Sequence, residues 1–125
     1  RVSLGLALRG IASACIDISD GLAGDLAKLC RASGVGARLD CPRLPRSRQL
    51  IEAAGEQASM RYALSGGDDY ELLFTAPAAS GSRIENLARL TPVSRIGEIT
   101  ATPGMQLQGA GPERDLVHGF DHFTD

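Results

Sequence analysis

Two short segments carry residue types that could do chemistry, Asp17-Ile18-Ser19-Asp20-Gly21 and Ser65-Gly66-Gly67-Asp68-Asp69-Tyr70-Glu71. In the first, the pattern changes from alternation to helical spacing at Asp20 and Gly21. Residues i and i+2 of a strand face the same way, so Asp17 and Ser19 are expected to project together, with Asp20 at the turn into the helix. This gathers two carboxylates and a hydroxyl at the end of a strand, where α/β-type folds place ligands. All are hard oxygen donors, which suit Mg²⁺ far better than zinc or copper. Asp17 interrupts an otherwise apolar run, and a buried, unpaired carboxylate is costly, so a compensating cation is expected there. Ser19 and Asp20 have a second reading as helix N-caps, and for Asp20 taken alone capping is the better one.

The second segment pairs glycines with acids. Gly66-Gly67 permits positive φ and close backbone approach, which can turn N–H groups toward an anion. Asp68 and Asp69 follow at once and suit a bridging cation or polar substrate, although a tight turn with solvated acids accounts for them equally well. Arg43, Arg46 and Arg48 form the one basic cluster, open to reading as a phosphate-facing loop but more simply as a solvated one. His118 and His122 have the spacing of helical metal ligands, yet the Gly-Phe-Asp-His-Phe around them reads as irregular chain. A P-loop needs a lysine after its glycines; Lys28 is the chain's only lysine, and no such motif exists.

Elements must position these groups. Residues 2–10 read as a short helix with Leu4, Leu8 and Ile11 on one stripe. ASACIDIS reads as a strand, and residues 20–33 as an amphipathic helix with Leu22, Leu26 and Leu29 backed by Ala23, Ala27 and Cys30. Gly34 is placed to stop that helix. VGARLDC from Val35 is a second strand, and 42–48 a Pro- and Arg-rich loop. Leu50 to Ala58 and Arg61 to Leu64 read as two helical pieces, followed by DYELLFT from Asp69, the clearest strand. SRIENLARL from Ser82 is a further helix, and VSRIGEIT from Val93 and MQLQG from Met105 are the last strands. The irregular alternation predicts an α+β domain, an α/β-type mixed sheet with helices on one face.

The chain has 125 residues, enough for one domain with a real core, and a formal net charge of -2, which draws in neither nucleic acid nor an anionic membrane. Cys15, Cys30 and Cys41, an odd number widely spaced, argue against a disulfide framework or a zinc site and suit a reducing cytoplasm. No apolar run reaches the roughly 20 residues a membrane helix needs. The opening Arg1, followed by VSLGLALRGIA patterned like a protein interior, suggests that something precedes it. The Arg-rich, Lys-poor composition points to a GC-rich bacterial genome.

IDISDGLAGDLAKLCRASGVGARLD, ALSGGDDYELLFTAP and the terminal GFDHF, taken in order, resemble the thiamine-monophosphate kinase family over essentially the whole chain. GGDDYELLFT and GFDHF separate that family from relatives sharing its fold: aminoimidazole ribonucleotide synthetase, selenophosphate synthetase and a hydrogenase-maturation protein. The resemblance implies a carboxy-terminal domain of the aminoimidazole ribonucleotide synthetase type. It further implies a cytoplasmic enzyme that uses ATP and Mg²⁺ to convert thiamine monophosphate to thiamine diphosphate and forms a homodimer through its amino-terminal domains. By the same resemblance Asp17 and Asp20 match Mg²⁺-binding acids and Ser19 a residue contacting ATP. Asp68 matches the acidic position, often Glu, that contacts the thiamine substrate, and Phe120 the aromatic position, often Tyr, that packs on it.

In that family most Mg²⁺-binding acids and the glycine-rich nucleotide contacts lie in an amino-terminal domain. Residues 1–125 are therefore expected to be a single domain, the carboxy-terminal half of a two-domain kinase, inactive alone and exposing some apolar surface. The nucleophile would be a phosphate oxygen, largely ionised near neutral pH because its second pKa is about 6, so no general base is required. Two alternatives stay open: a domain of another ATP-dependent enzyme of the superfamily, or a non-catalytic cation- or ligand-binding module.

Overall fold

A computed structural model of the chain describes residues 2–66 and 71–111. Among them are helices α1 (Val2–Ala7), α2 (Leu22–Ser33), α3 (Arg48–Ser65) and α4 (Gly81–Ala88). The strands are β1 (Ala14–Asp17), β2 (Gly36–Asp40), β3 (Leu72–Thr75), β4 (Gly97–Thr100) and β5 (Gly104–Gln108). The α+β class read from the sequence holds, with the strands divided between two sheets. β1 and β3 form an antiparallel ribbon, and β2 is the centre of a mixed sheet, antiparallel to β4 and parallel to β5.

Helix α2 packs against both sheets. Leu22, Leu26 and Cys30 of its buried stripe join Ala37 and Leu39 of β2, Leu73 of β3 and, behind the helix, Met60 and Leu64 of α3 in one apolar cluster; Ile16, Met105 and Leu107 are packed against it. At its end Gly34 takes φ 67°, its N–H donates to the Arg31 carbonyl, and the Val35 N–H donates to that of Cys30. These bonds satisfy carbonyls the helix leaves open and turn the chain directly into β2. Cys30 and Cys41 are buried, Cys15 is exposed, and all three are free thiols. Burial pushes the Cys30 and Cys41 thiols above their ordinary pKa, with Asp40 adding to the effect at Cys41, and this keeps both in the unreactive protonated form.

The connection from β4 to β5 is unusual for its length. Thr100 and Gly104 lie opposite the same residue, Gly36, on its two sides, so residues 101–103 cross over the first residue of β2. The Thr100 hydroxyl donates to the Thr102 carbonyl at 3.0 Å, closing this bridge. A Cβ on Gly36 would lie 2.1 Å from the Thr102 carbonyl oxygen and 2.5 Å from that of Gly104, so a hydrogen atom at this position is a condition of the topology.

Several boundaries differ from the sequence reading; α1 ends at Ala7, α2 begins at Leu22 and β3 begins at Leu72. Two helical pieces are present within α3, but the break between them falls at Gly55 (φ 86°, ψ 171°) and not after Ala58, and the first piece starts from the N-cap Ser47, whose hydroxyl accepts the Leu50 N–H at 3.0 Å. Arg46 braces this break, donating from Nη1 to the Glu56 carbonyl and the Ser59 hydroxyl and from Nη2 to the Glu56 carboxylate. The expected strand from Val93 begins only at Gly97. Pairing ends where the Asp40 N–H reaches the Ile96 carbonyl, because β2 then gives way to a tight turn at Cys41-Pro42-Arg43, and proline has no N–H to continue the ladder.

Candidate functional site

The two acid-bearing segments, 44 residues apart between Gly21 and Ser65, are neighbours in space. Asp17, the last residue of β1, pairs with Leu72, and the ladder extends one step further where the Ile18 N–H donates to the Glu71 carbonyl at 2.8 Å. On the other flank, Gly21 lies against the end of α3. A Cβ there would sit 3.0 Å from the Ser65 carbonyl oxygen. Ser65 and Glu71, the residues that bound the glycine-acid segment, thus both meet the loop that follows β1. Residues Asp68 and Phe120, proposed for the substrate, and His118 and His122 lie outside the described residues.

Asp17 and Ser19 are both exposed, as the alternation along β1 requires, and Asp20 beside them is exposed too. The argument that Asp17 is buried and needs a compensating charge is therefore corrected. Its carboxylate ends a two-stranded ribbon whose faces are only partly covered, so water solvates it. The capping reading of Asp20 is corrected as well. The N-cap of α2 is Gly21, at φ 114° and ψ 150°, and no side chain caps the helix from that position.

What organises the loop is a residue that sequence reasoning passed over. Asp25, in the first turn of α2 and 4% exposed, turns back over the helix start. Its Oδ2 accepts the Ser19 N–H at 2.8 Å and the Asp20 N–H at 3.0 Å. Lys28 donates to Asp25 Oδ1 at 3.2 Å and to Asp20 Oδ2 at 2.5 Å. Asp25 thereby fixes the backbone of the two residues before the Gly21 N-cap, and Lys28 of the same helix holds the Asp20 carboxylate. The available signal was an acid in the first turn of a helix with only glycine at its N-cap, where N–H groups seek an acceptor.

Burial pushes the Asp25 carboxyl up, but the N–H groups of Ser19 and Asp20 and the Lys28 ammonium outweigh it and hold the group below its ordinary pKa. Hydrogen bonds to Asp20 and then Asp25 raise that of Lys28. A lowered folded-state pKa contributes stability above the unfolded value of about 4, which is lost as the pH falls through the folded value. Lys28 stays charged throughout that range. Asp25→Asn should cost about 2 kcal/mol in a urea titration at pH 7, and the two proteins should converge as the pH is lowered from about 4. A gap that persisted undiminished in acid would assign the effect to shape and not to the carboxylate charge.

Asp17, Ser19 and Asp20 offer hard oxygens on one exposed edge, and Lys28, the chain's single lysine, is paired with Asp20, so a cation bound through Asp20 shares that carboxylate with the ammonium or displaces it. No group of three His, Cys, Asp or Glu close enough to enclose a metal occurs among the described residues. These residues supply hard oxygen donors that suit a cation such as Mg²⁺ but do not by themselves enclose one.

The Arg cluster separates. Arg46 is buried in the α3 brace, with 8% of its side chain exposed, and is neither solvated nor free to meet a phosphate. Arg43 pairs with Asp40 at 3.0 Å beside a polar cleft of about 260 Å³, lined also by Arg38, Arg95 and Glu98. Arg38 pairs with Glu98 there, and Asp17, Ser19 and Asp20 do not line this cleft.

The chain is similar to known proteins along nearly all its length. It is 40% identical over 132 residues to the thiamine-monophosphate kinase of Salmonella typhimurium, covering 99% of this chain and 39% of that protein. The thiamine-monophosphate kinase of Haemophilus influenzae is 36% identical, covering 100% of this chain and 40% of the relative. The chain therefore spans about two fifths of the length of the curated relatives it matches. The crystal structure of thiamine-monophosphate kinase from Stenotrophomonas maltophilia K279a superposes with a TM-score of 0.83 at 43% identity, over 87% of this chain and 35% of that one. AaThiL complexed with AMPPCP and TMP superposes with a TM-score of 0.73 at 33% identity, over 87% and 34%. No described helix is long and apolar enough to cross a membrane. Residues 1–110 match the family described as AIR synthase related protein, C-terminal domain, and with the α+β fold and the acid loop at the end of β1 the chain belongs to that family.

Proposed function

We propose that this chain is the carboxy-terminal domain of a bacterial, cytoplasmic thiamine-monophosphate kinase, forming one wall of a site that transfers a phosphoryl group from ATP to thiamine monophosphate. The observation that carries the reading is the meeting of the two acid-bearing segments, with Ile18 bonded to Glu71 and Gly21 against Ser65. Similarity to several thiamine-monophosphate kinases supports it, as does a structural neighbour holding AMPPCP, a nucleoside triphosphate analogue, together with TMP. The other wall, with the rest of the metal ligands and the homodimer contact, belongs to an amino-terminal domain in this reading.

The residues act by position and charge. Asp17 and Asp20 would hold Mg²⁺, and Ser19 would contact ATP. Bound Mg²⁺ neutralises charge between the two phosphate groups and aligns them. Asp68 and Phe120 contact the thiamine portion of the acceptor. An acceptor phosphate is already ionised near neutral pH, so the site needs carboxylates and not a general base.

The test is formation of thiamine diphosphate from thiamine monophosphate, ATP and Mg²⁺ by the full-length protein, its Asp17→Asn variant and residues 1–125 alone. The full-length protein should turn over, the variant should lose at least roughly a hundredfold in rate, and the isolated chain should form no product. ATP turnover indifferent to thiamine monophosphate, or stimulated by an aminoimidazole precursor instead, would sink the substrate assignment. Steady turnover by residues 1–125 would sink the half-site reading.

A further inference from the structure

We propose that Asp25 is the positioning residue of the acid loop: by accepting the backbone N–H groups of Ser19 and Asp20, it fixes the path of the loop that carries their side chains and so presents them to a divalent cation. The inference rests on the kinase reading and adds a residue to it.

A helix start leaves N–H groups open, and Ser and Asp just before it are among the side chains best suited to fill them. Here both are present, and neither does so. Gly21, at φ 114° and ψ 150°, swings the chain so that the Ser19 and Asp20 amides point back at Asp25 Oδ2, at 2.8 and 3.0 Å. Asp25 itself is 4% exposed and both its carboxylate oxygens are engaged, Oδ2 by the two amides and Oδ1 by Lys28, so it is held in place and is not itself presented to a metal. Its second oxygen holds Lys28, which in turn holds Asp20 Oδ2. The exposed acid is thus aimed from two directions by one buried acid. Partners one bond removed from metal-binding groups commonly set affinity by fixing the orientation of those groups.

The probe is Mn²⁺, titrated into the full-length protein by electron paramagnetic resonance, alongside amide hydrogen exchange at Ser19 and Asp20. Asp25→Ala should remove exchange protection at those two amides and weaken Mn²⁺ binding roughly tenfold or more. Asp25→Asn, whose side-chain carbonyl still accepts the two N–H groups, should recover most of the affinity. A purely structural role would lower the melting temperature and the number of folded sites while leaving the affinity of each folded site unchanged. Folded Asp25→Ala that loses the protection yet binds Mn²⁺ within about twofold of wild type overturns the inference alone. If Asp25→Ala does not fold, Asp25→Glu decides by the same two readouts, because one added methylene displaces the acceptor while keeping the charge. Wild-type protein that binds no Mn²⁺ overturns the kinase reading and this inference together.

Discussion

Gly36→Ala should destabilise the domain by about 3 kcal/mol or more, and the melting temperature should fall by roughly 10 °C or more. A methyl group at this position has nowhere to go. It would stand 2.1 Å from the Thr102 carbonyl oxygen, 2.5 Å from the Gly104 carbonyl oxygen and 2.7 Å from Thr100 Oγ1. The first two are backbone atoms of a short crossover, so relief requires lifting residues 101–103 off β2. That lift pulls on β4 and β5 at once, because Thr100 and Gly104 both pair with Gly36. Folded domains of this size are stable by only about 5–15 kcal/mol, so the loss is a large share of the total. Gly81→Ala is the control. It begins α4 with no atom within 4 Å of an added Cβ, and alanine there should be neutral or slightly stabilising by reducing the freedom of the unfolded chain. Equal melting temperatures for Gly36→Ala and wild type would show that β4 and β5 do not cross over β2 as described.

Gly21→Ala should damage stability and function together, and the functional loss in the full-length protein should exceed what unfolding explains. At φ 114° and ψ 150° the backbone is in a region that is essentially glycine's alone, and strain there is of order 1–3 kcal/mol. The added Cβ also meets the Ser65 backbone at 3.0–3.1 Å. Relief can go two ways. If the turn at residues 20–22 changes, the Ser19 and Asp20 amides leave Asp25. If Ser65 yields, the base of the glycine-acid segment moves. Either shift separates groups that the proposed phosphoryl transfer needs in register, and misplacement by about 1 Å can cost roughly a hundredfold. The check is product formation per folded molecule, measured well below the variant's melting temperature. An unchanged rate in that measurement would mean that the contact between the two segments serves stability alone.

Much of the fold was legible because it depends on local periodicity. The Leu22–Leu26 stripe of α2, the stop at Gly34 and the alternation through β1 follow from side-chain direction in helices and strands, which short windows of sequence contain, although Cys30 and not Leu29 completes the buried stripe. The reading failed where length or partnership decided. Val93–Arg95 have the composition of a strand and form none, because β2 is too short to pair with them and turns at Pro42. The two pieces of α3 are separated at Gly55, and the piece after the break is held by Arg46 from the loop before the helix, a contact no short window contains.

The candidate site divides in the same way. Residue types and spacing by themselves identified Asp17, Ser19 and Asp20 as clustered oxygen donors, because i, i+2 geometry on a strand and a helix start one residue later are local properties. They also marked Ser65–Glu71 as a second segment of the same character. Only the tertiary structure decided that the two segments meet, since antiparallel pairing of β1 with β3 joins residues more than fifty apart, a register no short window encodes. Only the tertiary structure assigned Asp25 its part. An acid in the first turn of a helix is unremarkable in sequence, and its role appears once Gly21 turns the preceding amides toward it and the core closes over its carboxylate, leaving hydrogen bonding to those amides and Lys28 as the way to compensate a buried charge.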